Sequence, residues 1–248
     1  MSDPVPPPVE RVEFLLCDAD GNLFPSEEPA FEASTEVTNR FLSELGSDRR
    51  FTPDELRTAA TGMNFRTIAR GLAAEAGVPE VDVEPWVVEE RRAVTAHLAD
   101  TLRPDEPTRQ ALARLAGDVP LAVVSSSALS RLAACFTAAG LDELFPPELR
   151  FSAEDSLPVP TSKPDPAIYL HACTALRIEP VAGLAVEDSV AGARSAVAAG
   201  CPTIGNLQFV SAGERADRAE ALRSAGVLAV VESWEELVDV VLTMGVQR

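Results

Sequence analysis

The sequence predicts an α/β protein in which a parallel, Rossmann-like sheet is wrapped by helices and carries an inserted all-helical domain. Two observations lead to this prediction. Short apolar runs typical of buried parallel strands alternate with helical patterns, and such alternation produces a parallel sheet with right-handed crossovers. The stretch from residue 25 to residue 102 interrupts the alternation, because it contains helical patterns alone.

The elements follow one another in a regular order along the chain. The expected strands lie at residues 12–17, 121–124, 183–186, 202–204 and 227–231. Four helical patterns fill the interrupting stretch, at residues 28–45, 52–61, 64–76 and 83–102. Six more accompany the later strands, at residues 108–116, 129–139, 166–176, 190–199, 214–225 and 234–242. We therefore expect a sheet domain formed by residues 11–24 and 103–248, a helical domain at 25–102, and a flexible, proline-rich tail at 1–10.

The composition limits the partners that this chain can have. A net charge of −18 disfavours nucleic acid and anionic membrane surfaces, and no apolar stretch is long enough to span a bilayer. The four cysteines lie in apolar segments without metal-ligand spacing, which indicates buried thiols in a reducing compartment. We expect a cytoplasmic protein; the sequence gives no indication of its oligomeric state.

Lysine occurs once in the chain, at Lys163, whereas the other 20 of the 21 basic residues are arginine. A lysine ammonium is a compact, strongly hydrated charge that suits a phosphate or carboxylate in a tight pocket. The alternative is that one lysine survived compositional drift by chance.

Two carboxylates, Asp18 and Asp20, directly follow the first expected strand, and Gly21 permits a sharp turn there. The carboxyl ends of parallel strands form the binding crevice of an open sheet, so both side chains can point into it. One carboxylate can act as a nucleophile and the other as a general acid and base. An Asx-type turn or a calcium-like loop is the structural alternative.

Two further polar pieces follow later strands. Ser125 and Ser126 come after residues 121–124, where their hydroxyls can bind phosphate oxygens or cap the next helix. Glu187 and Asp188 come after residues 183–186, where two buried acids are costly without a positive charge. Together with Asp18 and Asp20 they form an oxygen-rich ligand set suited to Mg²⁺.

In this order the pieces resemble the four motifs of the haloacid dehalogenase-like superfamily: Asp18-x-Asp20-Gly21, Ser125, Lys163-Pro164 and Glu187-Asp188-Ser189-x-x-Gly192. The likeness covers residues 12–245 and is most specific over residues 183–200. It is greatest for the branch with a helical cap inserted after the first motif, which includes phosphoglycolate phosphatase-like and β-phosphoglucomutase-like proteins. The helical domain would then be that cap.

The resemblance implies a role for each site residue. Asp18 would attack phosphorus, and Asp20 would protonate the leaving oxygen and later activate water. Ser125, Ser126 and Lys163 would hold phosphoryl oxygens. Phosphate-transferring members carry an acid at the position of Asp20, so its presence here disfavours dehalogenation.

The resemblance also implies the metal site. Mg²⁺ would be bound by Asp18, the backbone carbonyl of Asp20 and Asp188, with Glu187 acting through water. Asn22 stands where many members have threonine, a position that varies within the family and that can reshape the segment leading to the cap.

The leading functional hypothesis is an Mg²⁺-dependent phosphatase that acts on a small phosphorylated metabolite. A sugar-phosphate mutase with the same aspartyl-phosphate chemistry is the alternative, and a non-catalytic phospho-acceptor or binding protein is a remote one. Substrate choice should lie in the cap, where Arg66 can pair with a carboxylate or a second phosphate. A solvent-facing arginine without a functional role is the structural alternative for Arg66.

Overall fold

The computed structural model of the chain describes residues 12–60 and 64–243. These residues form two compact units: one runs up to Pro25 and resumes at Arg103, and the other spans Ser26–Leu102. The expected tail at residues 1–10 and residues 61–63 lie outside the described residues. Within the described ranges, no helix has both the length and the apolar character that a membrane crossing requires.

The first unit is built on a sheet of six parallel strands in the described part of the chain, which confirms the predicted fold class. The strands are β1 (Phe14–Cys17), β2 (Leu121–Ser125), β3 (Arg150–Ser152), β4 (Gly183–Glu187), β5 (Thr203–Asn206) and β6 (Ala229–Val231). Their spatial order is β3-β2-β1-β4-β5-β6. The order reverses between β1 and β4, and sheets of this kind bind ligands in the crevice outside the carboxyl ends at that point.

Strand register brings the ends of the central strands together. Cys17, the last residue of β1, pairs with Val123 of β2 on one side and with Val186 of β4 on the other. The three strands are fully buried apart from Phe14, as expected for parallel strands covered on both faces. The residues that follow β1 and β4 are therefore neighbours at one edge of the sheet.

The described residues of the second unit form four helices, which follow β1 in the chain: α1 (Glu27–Glu44), α2 (Pro53–Ala60), α3 (Phe65–Glu75) and α4 (Glu84–Thr101). Its core is apolar and includes Val37, Phe41 and Leu72. The start of α2 is a capping box, in which the Thr52 amide donates to Glu55 Oε2 at 2.8 Å and the Glu55 amide donates to Thr52 Oγ1 at 3.3 Å. Whether this unit serves as a cap stays a prediction.

Within residues 12–25 and 103–243, six helices flank the sheet: α5 (Glu106–Ala116), α6 (Leu129–Ala139), α7 (Ala167–Leu176), α8 (Val190–Ala199), α9 (Arg215–Ser224) and α10 (Trp234–Thr243). The helical patterns predict all six to within two residues at each end. Strand β3 escaped sequence-based prediction, because it is three residues long and begins with the charged Arg150. The Arg150 side chain is buried and satisfied by the carbonyl of Phe145 at 2.8 Å and the carboxylate of Asp142 at 2.6 Å.

Candidate active site at the carboxyl edge of the sheet

Acidic side chains from β1 and β4 meet at the carboxyl edge of the sheet. Asp18 directly follows β1, Glu187 is the last residue of β4, and Asp188 directly follows it. All three are buried, at 7 %, 0 % and 3 % exposure. Buried carboxylates are stable only beside positive charge, so this edge of the sheet is built to hold cations.

Lys163 is the cation that the chain itself supplies. Its Nζ donates to Asp18 Oδ1 at 2.5 Å, to Glu187 Oε1 at 2.6 Å and to the carbonyl of Val124 at 2.7 Å. All three ammonium protons therefore have acceptors. This geometry explains the single lysine, because a planar guanidinium does not present three donors from one atom.

Tyr169 is a part of this cluster that sequence reasoning missed. Its hydroxyl donates to Glu187 Oε1 at 2.5 Å, and the Lys163 ammonium lies 5.2 Å from the centre of its ring. Tyr169 is the only tyrosine in the chain and follows Lys163 by six residues, in the first turn of α7. This short distance along the chain was the only sequence feature that links Tyr169 to the site, and it does not reveal which way the tyrosine hydroxyl points.

Burial and charge shift the ionisation of this cluster. Burial raises the pKa of Asp18 above its ordinary value, and the Lys163 ammonium opposes that shift. Burial also raises the pKa of Glu187, again against the effect of Lys163. For Lys163 itself burial favours the neutral amine, but Asp18 and Glu187 outweigh it and the pKa is raised, so the ammonium stays charged.

The cluster fits a divalent metal ion. Asp18, Glu187 and Asp188 each offer one carboxylate oxygen, and these oxygens lie within 4.8 Å of one another. Lys163 contacts Asp18 and Glu187, and Arg218 Nη1 lies 3.8 Å from Asp188 Oδ2. Among the described residues, no hydrogen-bond donor reaches the buried Glu187 Oε2. An all-oxygen, anionic donor set of this kind suits a hard cation.

Two glycines make room for the acidic cluster. Gly21 has a φ of 77°, and a Cβ there would lie 2.6 Å from Asp188 Oδ2. Gly192 lies in the first turn of α8, where a Cβ would lie 1.7 Å from Glu187 Oε2. A larger residue at either position would displace a carboxylate of the cluster.

We expect Gly192→Ala to lower the free energy of unfolding by about 1–3 kcal/mol, because the added methyl group must push the buried Glu187 side chain aside. Urea denaturation measures this change. Gly71→Ala is the matched control, since Gly71 is also helical and has open space around it. There we expect a gain of about 0.5–1 kcal/mol from helix propensity. Equal responses of the two variants would contradict the close contact at Gly192.

The Asp20 carboxylate is not one of the groups of the acidic cluster, although its charge raises the pKa of Asp18 in addition to the effect of burial, and it contacts the start of α6. Ser127 Oγ donates to Asp20 Oδ2 at 2.6 Å, and Arg131 Nη2 donates to Asp20 Oδ1 at 3.0 Å. The sequence pattern did not single out Arg131. Its position in the first turn of α6, four residues after Ser127, was the available signal.

The three consecutive serines that begin at the last residue of β2 have three different partners. Ser125 Oγ accepts from the amide of Ser127 at 3.0 Å, and Ser126 Oγ accepts from the amide of Lys163 at 3.1 Å. The capping alternative for these serines is wrong, because the N-cap residue of α6 is Ala128 and the first amide of the helix, that of Leu129, donates to Asp155 Oδ2 at 2.6 Å. The serines instead connect β2 to Lys163 and to Asp20, so the predicted phosphate-binding residues lie with the predicted catalytic ones.

A family model described as haloacid dehalogenase-like hydrolase matches residues 12–200, which include every residue of the site described above except Arg218. The chain belongs to this family. The predicted family and hydrolase class are therefore confirmed, and the family match carries the expectation of a divalent metal at the acidic cluster.

Known relatives of this haloacid dehalogenase-like hydrolase include a phosphatase. The chain is 29% identical over 193 residues to 6-phosphogluconate phosphatase of Escherichia coli strain K12, covering 77% of this chain and 81% of the relative. A conserved haloacid dehalogenase-like protein of unknown function from Agrobacterium tumefaciens C58 has a similar structure, with a TM-score of 0.72 and 27% identity over 94% of this chain and 99% of that one. A HAD family hydrolase from Deinococcus radiodurans R1, solved with bound phosphate and sodium, gives a TM-score of 0.67 and 26% identity over 95% and 97%.

Asn22 has a structural role in this hydrolase that its sequence position did not indicate. Its Nδ2 donates to the carbonyls of Asp18 and Val186, both at 3.0 Å, and its Oδ1 accepts from Asn206 Nδ2 at 2.9 Å. The Trp234 indole donates to its carbonyl at 2.9 Å. Asn22 thus ties the end of β1 to the end of β4, the two strands that carry the acidic cluster.

Arg66 lies in the helical unit of the hydrolase, in the first turn of α3. Its Nε and Nη2 both donate to the Glu84 carboxylate, each at 2.7 Å. This bidentate pair is exposed, as the structural alternative for Arg66 anticipated. A role for Arg66 toward substrate stays a prediction.

Proposed function

We propose that this hydrolase is an Mg²⁺-dependent phosphatase that cleaves a small phosphomonoester through a phosphorylated Asp18. One observation carries the proposal: the two carboxylates that follow β1 have separate surroundings. Asp18 lies with Lys163 in a cluster suited to a metal, whereas Asp20 lies outside that cluster with Ser127 and Arg131. A nucleophile and a proton donor need this division, because one must stay ionised while the other changes its protonation.

In the first step Asp18 is the nucleophile. A carboxylate oxygen of Asp18 forms a bond to phosphorus as the bond from phosphorus to the leaving oxygen breaks, and Asp20 gives that oxygen a proton. The Lys163 ammonium, which already contacts Asp18, stabilises the phosphoryl oxygens together with Ser125 and Ser126.

In the second step water replaces Asp18 on phosphorus. The ionised Asp20 accepts a proton from the water, the bond between phosphorus and the Asp18 oxygen breaks, and inorganic phosphate leaves. Asp18 is then an ionised carboxylate again and Asp20 is again protonated, so one turnover consumes one water molecule and leaves the enzyme unchanged.

Mg²⁺ would be held by Asp18, Asp188 and the backbone carbonyl of Asp20, with Glu187 acting through water. When bound, it offsets the negative charge of the phosphoryl group and of the nucleophile. The three buried carboxylates of the cluster support a cation at this place, as does Glu187 Oε2, which no hydrogen-bond donor of the described residues reaches.

The substrate class that we propose is a phosphorylated sugar or sugar acid. The relative from E. coli carries the name 6-phosphogluconate phosphatase, and the D. radiodurans structure contains phosphate. The helical unit would act as a cap, and its Arg66 would recognise the part of the substrate that is remote from phosphorus. We place the enzyme in the cytoplasm, in keeping with its four buried free thiols.

Metal removal gives the first prediction for this function. Phosphate release from a panel of sugar phosphates, sugar-acid phosphates and phosphoglycolate should fall by at least about 100-fold with EDTA, because several kcal/mol of charge stabilisation are lost. Added Mg²⁺ should restore it, whereas NaCl of equal ionic strength should not. Mg²⁺ should also raise the melting temperature, since it binds the folded cluster and not the unfolded chain.

The same assay separates the phosphatase from its alternatives. Interconversion of sugar phosphate isomers without phosphate release would replace the phosphatase with a mutase. Turnover that EDTA leaves unchanged would remove the metal from the proposal, and neither release nor transfer from any ester would leave only a non-catalytic role.

A further inference from the structure

We propose that Arg131 is a positioning residue for the acid–base carboxylate: with Ser127 it fixes the orientation of Asp20 for proton transfer. This inference rests on the proposed function, because it takes Asp20 as the group that protonates the leaving oxygen. It concerns Ser127, which lies just before α6, and Arg131, which lies in the first turn of that helix. Neither residue takes part in the two chemical steps described above.

The geometry gives each oxygen of the Asp20 carboxylate its own donor. Ser127 Oγ lies 2.6 Å from Oδ2, and Arg131 Nη2 lies 3.0 Å from Oδ1. Two donors on the two oxygens of one carboxylate restrict its rotation, which a single hydrogen bond does not do. Both side chains of the ion pair are about three-quarters buried, with 25% of Arg131 and 24% of Asp20 exposed, so solvent competes weakly for this contact.

The donors themselves are held in place. The amide of Ser127 donates to Ser125 Oγ at 3.0 Å, which ties Ser127 to the end of β2. Arg131 lies in the first turn of α6, which is packed on the sheet through the buried Leu132, Cys135 and Phe136. The Asp20 carboxylate is therefore positioned by the same strand end that supplies the proposed phosphate-binding hydroxyl.

Cys135, one helical turn after Arg131, adds no competing negative charge. Burial raises the pKa of its thiol to about 12, and the charge of Asp20 adds to this shift against the effect of Arg131. The thiol is therefore neutral at physiological pH. The guanidinium charge of Arg131 thus acts on the Asp20 carboxylate rather than on a thiolate.

The Arg131 pair also keeps the Asp20 carboxylate away from the acidic cluster. The cluster oxygens come from Asp18, Glu187 and Asp188, although Asp20 is only two residues from Asp18. A carboxylate released from Arg131 would be free to turn toward the positive charge at that cluster. It would then be misdirected for proton transfer, and a misplacement of about 1 Å costs on the order of 100-fold in rate.

The test is the dependence of Arg131→Ala on the leaving group. Protonation matters for an alkyl phosphate but hardly for 4-nitrophenyl phosphate, whose leaving group is stable as an anion. We expect kcat/KM, which reports the steps up to phosphorylation of Asp18, to fall about 10- to 100-fold for the alkyl ester. For the nitrophenyl ester we expect a loss of less than about threefold. Arg131→Lys should recover part of the loss, since it restores one charged donor.

A double-mutant cycle gives the second readout. If Arg131 acts through Asp20, adding Arg131→Ala to Asp20→Asn should produce no further loss with the alkyl ester. Arg114→Ala, at an exposed position in the last turn of α5, is the matched control and should leave both esters unaffected. Thermal unfolding of each variant shows whether the fold is retained.

Two results would overturn the role of Arg131 without touching the proposed function. Equal losses for both esters would mean that Arg131 contacts the substrate itself, and a further loss in the Asp20→Asn background would mean that it acts independently of Asp20. Failure of the wild-type enzyme to release phosphate from either ester would instead contradict the proposed function.

Discussion

Asp18→Asn is expected to reduce phosphate release by at least about 10³-fold, because a carboxamide oxygen is too weak a nucleophile to attack phosphorus. The substitution is isosteric and keeps an oxygen that can accept from Lys163, so the fold should remain intact. Initial rates with the best ester of the panel, measured beside circular dichroism of the variant, test this expectation.

The matched control for this substitution is Asp239→Asn, at an exposed position on α10, which should leave the rate within about twofold of wild type. Retention of a tenth or more of the activity in Asp18→Asn would place the nucleophile elsewhere. Loss of circular dichroism in that variant would call for the same measurement in Asp18→Glu, which keeps the charge but displaces the carboxylate.

Lys163→Ala is expected to remove activity and to lower the free energy of unfolding by about 3–5 kcal/mol, the range typical of breaking a buried ion pair. The substitution leaves Asp18 and Glu187 without the ammonium that now lies 2.5 and 2.6 Å from them. Urea unfolding without added metal measures the change, because a bound cation would partly replace the missing charge.

Lys163→Arg separates charge from shape at this position. It should recover part of the lost stability but little activity, since a guanidinium cannot donate from one atom to Asp18, Glu187 and the carbonyl of Val124. Full activity in Lys163→Arg would mean that the site does not require three donors from one nitrogen atom. An unfolding free energy of Lys163→Ala within about 1 kcal/mol of wild type would contradict the buried ion pair itself.

Much of the sheet follows from the sequence because its central strands are apolar on both faces. Residues 121–124 and 183–186 have no polar side chain, and only burial between two helical layers favours such runs. Strand β3 has no such signal. Its Arg150 is buried through contacts with Phe145 and Asp142, and tertiary contacts of this kind are invisible in a local pattern.

The residues of the site are partly predictable from the topology of the sheet. Asp18, Ser125 and Asp188 follow or end central strands, so the strand order alone brings them to one edge. Tyr169 and Arg131 reach that edge from helices, and their contribution depends on the direction of a side chain, which spacing does not determine. The catalytic roles of these residues stay predictions until the variants are measured.

The most direct test of the account is chemical trapping of phosphorylated Asp18. The Asp20→Asn variant should accumulate this species with 4-nitrophenyl phosphate, since the leaving group needs no proton whereas the attacking water has lost its base. Borohydride reduction followed by peptide mass spectrometry should then find homoserine at position 18, and Asp18→Asn in the same background should give none. Phosphate carried by any other residue, or release of nitrophenol with position 18 unmodified, would contradict the mechanism.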